Sequence, residues 1–187
     1  MIRKPSPFTR NIGWRALCCL VLLTATAFAA SLPSVGDAAP DFELLSQSGS
    51  KVSLKSYKGQ WVILLFAGDH TGKNVGLLIH NLERDAAKFS SANAAIIGIA
   101  RTTYESNQAW AEQAGISFPI LSDPDGITAK LYGASDSSDG FVYEVVIAPD
   151  GKVQLPRITT SDFDGESDHL LACLQYFRQH LKPAQPR

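Results

Sequence analysis

Residues 60–66 read QWVILLF, and residues 94–100 read AAIIGIA. Each is a continuous apolar run rich in β-branched residues and bounded by turn formers, the pattern of a strand buried on both faces. Between them lies NVGLLIHNLERDAAKF, in which Val75, Leu78, Ile79, Leu82, Ala86 and Phe89 recur at helical spacing. Strand, amphipathic helix and strand in that order predict a parallel pair joined by a crossover.

Reading outward, DFELLS and KVSLKSY flank the turn QSGS and predict an N-terminal hairpin. Downstream, TYESNQAWAEQAG predicts a helix capped at its C-terminus by Gly115. SFPILSD is a short extended piece, and PDGITAKLYGA continues as a short helix. GFVYEVVIAPDGKVQ is two strands about Pro149-Asp150-Gly151, where Pro sets φ and Gly accepts φ > 0. SDHLLACLQYFRQHL is a last helix with Leu170, Leu171, Leu174, Phe177 and Leu181 on one face. The sum is an α/β protein of thioredoxin-like arrangement: a central mixed β-sheet flanked by helices, with an N-terminal β-hairpin extension. Trp61, Phe66, Trp110, Phe118 and Tyr132 are expected in its core.

The chain has 187 residues, 45% hydrophobic and 19% charged, with a formal net charge of −1. That suits one globular domain, and no basic stripe points to nucleic acid. Residues 1–15 carry Arg3, Lys4, Arg10 and Arg15 and no acid; residues 16–30, ALCCLVLLTATAFAA, carry no charge. The apolar run ends in the small-x-small pattern Ala27-Phe28-Ala29. This layout is that of a secretory signal peptide over 1–29, with the domain at 34–181 and a tail at 182–187. It implies a periplasmic or secreted protein; the alternative is an inner-membrane anchor left uncleaved. The apolar run is shorter than the about 20 residues that span a bilayer comfortably. Cleavage after Ala29 would remove four basic residues, leaving 13 against 18 acids and a formal charge of −5. It would also remove Cys18 and Cys19, so that Cys173 is the one thiol of the mature chain.

Several stretches resemble a known family. VGDAAPDFELLSQSGSKVSLKSYKGQWVILLF is similar to the opening of peroxiredoxins of the alkyl hydroperoxide reductase/thiol-specific antioxidant group. FPILSDPDGITAKLYGA and VIAPDGKV resemble its later signatures, and AIIGIA followed by TYES fits between them. The likeness is nearest to the bacterioferritin-comigratory branch and runs from Val35 to about Leu181. It implies an antioxidant oxidoreductase lineage that reduces peroxides with a thiol and needs no cofactor. In that family the loop after the first core strand reads P-x-x-x-T-x-x-C. The cysteine lies in the first turn of the next helix, where free N–H groups and the helix dipole favour a thiolate.

Laid without a gap on AGDHTGKN, the family proline falls on Ala67, the threonine on Thr71 and the cysteine on Asn74. The resolving cysteine of many relatives falls on Ile79, and the family arginine falls near Val142. Only the threonine is kept, and there is no cysteine from Leu20 to Ala172. The resemblance therefore leads to a member without catalytic residues at this site: a pseudoenzyme serving as a binding or interaction module. Its partner is an unknown protein or small molecule, and a homodimer is open.

Two alternatives remain. Cys173 could serve an atypical one-cysteine peroxidase, although Leu170 and Phe177 around it predict a buried thiol. Thr71, Lys73 and Asn74 at a helix start could bind an anion. Asp69 and His70 suggest an acid–base pair without a nucleophile. His80, His169 and His180 make no metal-ligand spacing, so no metal is expected.

Overall fold

The computed structural model describes residues 32–68, 73–134, 142–159 and 165–181, with backbone alone at 73–74 and 157–159. The hairpin pairs β1 (Glu43–Leu45) with β2 (Lys51–Ser53). Its turn closes through Ser46 N–H donating to the Ser50 carbonyl at 2.9 Å, and Gly49 supplies the required φ of 77°.

The main sheet contains β3 (Trp61–Ala67), β4 (Ala94–Ala100), β5 (Ile120–Ser122), β6 (Val142–Ile147) and β7 (Val153–Thr159). Its order is β5-β4-β3-β6-β7. β3, β4 and β5 run parallel, whereas β6 and β7 enter antiparallel as a hairpin. This is the mixed sheet that the sequence predicts. β3 sits at its centre, and residues 61–66 are all buried. Trp61, Ile63 and Leu65 face one core, while Val62, Leu64 and Phe66 face the other. The first core holds α1 (Lys73–Arg84), α2 (Ala86–Ser91), α3 (Tyr104–Ala114) and α5 (Glu166–His180) through Leu78, Leu82, Phe89, Ala111, Leu170 and Leu174. The second holds α4 (Ile127–Leu131) and the hairpin side through Ala129 and Phe42.

Local chemistry ends the elements. Thr103 Oγ1 accepts from Ser106 N–H to open α3, and Gly115 closes it in the left-handed region at φ 67°. Asp123 accepts from the Thr128 and Ala129 amides at 3.2 and 2.9 Å and so starts α4. The edge of β5 is covered rather than open. Gln47 donates Nε2 to the Phe118 carbonyl at 2.9 Å and accepts Ile120 N–H on Oε1 at 2.7 Å.

The sequence pattern predicts one helix over 74–89; the structure has two. The break is at Asp85, whose backbone leaves helical values at φ −100°, ψ 6°. Its carboxylate is buried and ion-paired at 2.9 Å to both Arg84 and Lys88. Those two cations, by hydrogen bonding to Asp85, hold its pKa down at about 2. A carboxyl with a depressed folded pKa stabilises the fold above its unfolded value near 4 and loses that contribution as pH falls toward 2. Acid titration of stability should therefore steepen between about pH 4 and pH 2, and Asp85→Asn should flatten that window. Urea midpoints at stepped pH read the difference. An unchanged slope in the variant would remove Asp85 from the account.

The candidate core residues are mostly where the pattern puts them. Trp61, Phe66, Phe118 and Tyr132 are buried, and Trp61 stacks on Phe177 with centroids 5.9 Å apart. Trp110 is only partly buried at the edge of the first core. Leu181, expected on the buried face of α5, is 38% exposed because the helix has already ended at His180.

Candidate functional site

The site follows from the sheet register. Ala67, the last residue of β3, is flanked by Ala100 on β4 and Val142 on β6. The chain then leaves the carboxyl end of the sheet, and α1 begins at Lys73 with Asn74 as its second residue. In an open α/β sheet, functional groups gather at this end of the strands. Ala67, Asn74 and Val142 thus belong to one corner of the molecule. Thr71, Asp69 and His70 lie outside the described residues. Lys73 and Asn74 are placed by their backbone in the first turn of α1. The leader 1–29 and the tail 182–187 also lie outside the described residues.

Beneath this corner is a hollow of about 20 Å³, lined by Leu65, Ala67, Val75, Leu78, Trp110 and Val142 among others. It holds about one water-sized group. Val142 is 1% exposed and Ile79 is 5% exposed. Each completes an apolar wall of the hollow. Arg101, the first residue past β4, donates its backbone N–H to the Ala67 carbonyl at 3.4 Å. Its side chain lies across Gly126, with Nε 3.2 Å from where a Cβ would stand. This guanidinium packs on the loop before α4 and is not among the groups lining the hollow.

Cys173 requires a correction. It is half-buried rather than enclosed, and its Sγ lies 3.4 Å from His169 Nε2 on the preceding turn of α5. The buried line of α5 is Ser167, Leu170 and Leu174, and residue 173 lies roughly a quarter turn from it. Leu170 and Phe177 flank the thiol without covering it.

The sequence reading missed Glu144. It is wholly buried on β6, two residues from Val142, and the β6–β7 register sets it opposite Arg157. One acid inside the run VYEVVI, with an arginine on the next strand, was the available signal. The His169–Cys173 pair was equally readable, since residues four apart meet on one helix face.

The five-stranded order, the hairpin entering antiparallel and the site at the β3–α1 junction define a thioredoxin-like fold of peroxiredoxin type. The AhpC/TSA family profile matches residues 35–155, and the chain belongs to that family. Alkyl hydroperoxide reductase E of Mycobacterium tuberculosis is 33% identical over 111 residues, covering 57% of this chain and 72% of that protein. The crystal structure of peroxidoxin BcpB from the same organism superposes with a TM-score of 0.67 at 25% identity, covering 78% of this chain and 99% of that one. Peroxiredoxin Q of Xanthomonas campestris superposes at 0.68 with 20% identity, over 82% of this chain and 99% of that one, a likeness of fold. The bacterioferritin-comigratory resemblance read from the sequence is thus shown.

Proposed function

We propose that this chain is an exported peroxiredoxin-type protein that has given up thiol peroxidase chemistry at the family site and serves as a binding or interaction module. One observation carries the reading: the sequence has no cysteine between Leu20 and Ala172, and Asn74 stands in the first turn of α1. Peroxide reduction by this family's chemistry needs a thiolate. Its sulfur attacks one peroxide oxygen, the O–O bond breaks, the other oxygen leaves as water or alcohol, and sulfur becomes a sulfenic acid. An asparagine amide has no such nucleophile. Val142 adds to the case, because the apolar wall it forms offers no cation to a developing anion. The leader-like layout of residues 1–29 supports export.

The direct test is chemical. After exposure to excess hydrogen peroxide and a sulfenic-acid trapping reagent, peptides covering residues 67–79 should carry no adduct. An adduct there would show a reactive group that the sequence does not contain and would defeat the reading.

One observation favours a second reading, a one-cysteine peroxidase at Cys173. The half-exposed thiol has an imidazole nitrogen at 3.4 Å, the kind of neighbour that activates cysteine nucleophiles. That reading predicts fast alkylation of the folded wild type by a thiol reagent, slowed about tenfold in His169→Ala. Alkylation that becomes fast only on unfolding would rule it out.

A further inference from the structure

We propose that a pocket at the amino end of β3, at the far end of the sheet from Ala67, binds a small monocarboxylate with a ring-sized apolar body. Three segments wall it: the leading arm at Ala39, the 3-10 helix Leu54–Tyr57 with the residues that follow it to Gln60, and the β6–β7 turn at 148–151. Backbone hydrogen bonds fix these walls to one another. Ala39 N–H donates to the Gly151 carbonyl at 2.9 Å, and Gly59 N–H donates to the Pro149 carbonyl at 3.1 Å. The floor is the cross-strand pair Val62 and Ile147, both buried in the second core. The space enclosed is about 200 Å³. An apolar cavity of about 150 Å³ admits benzene, so this one has room for a six-membered ring and a short substituent. An apolar floor beneath a few polar groups is the usual construction of a small-ligand site.

The rim selects the charge of that substituent. Both of its acids already have a cation. Asp41 is ion-paired to Lys55, whose hydrogen bond holds the Asp41 pKa below the usual carboxylate range. Asp150 accepts the Lys152 N–H at 3.2 Å and has Lys152 Nζ at 4.0 Å. Lys58, by contrast, is exposed and has no ion pair among the described residues. Tyr57 is half-buried in the wall, and its hydroxyl makes no hydrogen bond among the described residues. Burial raises its pKa, so the phenol keeps its proton and remains a donor. The Gln60 side-chain amide is likewise uncommitted among the described residues. The stretch 57–60 thus presents an ammonium, a hydroxyl and an amide, all able to donate. A carboxylate accepts from every one of them. An ammonium ligand would meet acids already taken and the repulsion of Lys58. Neither Asn74 nor Val142 takes part, so the inference stands whether or not the family corner reduces peroxide.

The protein expressed from its full sequence is titrated with 4-fluorophenylacetate and followed by fluorine NMR, with 4-fluorobenzylammonium as the cationic counterpart. The acid should bind with a Kd on the order of 1 mM, in keeping with so small a ligand, and about tenfold more tightly than the ammonium. The amide resonances of Gly59 and Gly151, which belong to facing walls, should shift together, while that of Ala100 at the other end of the sheet should not move. Lys58→Glu, at an exposed position outside both cores, should weaken the acid about tenfold. Tyr57→Phe, which keeps the ring and removes the hydroxyl, should weaken it about threefold. Equal affinity for the two ions would overturn the proposal, as would an affinity unchanged in either variant. Shifts confined to the sheet end at Ala67 and Ala100 would place the acid elsewhere and overturn it equally. So would the absence of binding at about ten times the expected Kd.

Discussion

Asn74→Cys is expected to create a peroxide-reactive thiol where the wild type has none. The residue stands in the first turn of α1, a twelve-residue helix at the carboxyl end of β3. A cysteine there gains the partial positive charge and free N–H groups of a helix start. The expected result is one equivalent of sulfenic acid per chain at residue 74 after peroxide treatment, against none at that position in the wild type. The rate should remain well short of a complete site. Ala67 and Val142, side by side at the end of the sheet, offer no oriented charge, and lack of one oriented electrostatic contact costs about 10² to 10³ in rate. Stopped-flow oxidation read by mass spectrometry checks both parts. A variant thiol that stays reduced under excess peroxide would mean that this helix start does not activate a thiol.

The second large effect concerns stability. Tyr132 is 1% exposed, its ring lies 5.2 Å from that of Phe66, and its hydroxyl donates to the Pro40 carbonyl. It ties the end of α4 to the leading arm across 92 residues of sequence. Tyr132→Ala should cost about 3–5 kcal/mol, as for other buried aromatic truncations. Tyr132→Phe should cost about 1 kcal/mol, the net value of one hydrogen bond. Burial, with a smaller contribution from the Asp41 charge, pushes the Tyr132 phenol well above its ordinary pKa. A group whose folded pKa is raised stabilises the fold below its unfolded value and loses that contribution as pH rises. Wild-type stability should thus decline above about pH 10, and the Phe variant should lack that component. Urea unfolding of the three proteins at neutral and alkaline pH gives both numbers. Equal midpoints for Ala and wild type would remove Tyr132 from the core account.

The central fold is legible from the sequence because its key strands are buried on both faces. QWVILLF and AAIIGIA cannot be mistaken for surface segments, and the helical spacing between them fixes the crossover. The corner at Ala67 and Asn74 is legible for a related reason: the strand ends where its apolar run ends, so the following loop can be placed by counting. That Val142 stands beside Ala67 is a matter of register, which pattern alone does not set for an antiparallel hairpin entering from a distant part of the chain. The break at Asp85 depends on two cations converging on one carboxylate, a tertiary outcome that helical periodicity overlooks. Cys173 reads as buried because its i−3 and i+4 neighbours are apolar. Burial on a helix follows its centre line, here Leu170 and Leu174, and a residue a quarter turn away stays half open. Glu144 escapes strand patterning, which scores the run around it and not the exception within it.

The measurement that tests the central claim most directly is peroxide consumption by purified residues 31–187, in which Cys173 is the one thiol, with a thiol reductant, wild type beside Cys173→Ser. The account predicts a rate equal to that of reductant alone in both proteins. Turnover in the wild type that survives loss of Cys173 would contradict the account outright. It would mean that this fold reduces peroxide without a cysteine.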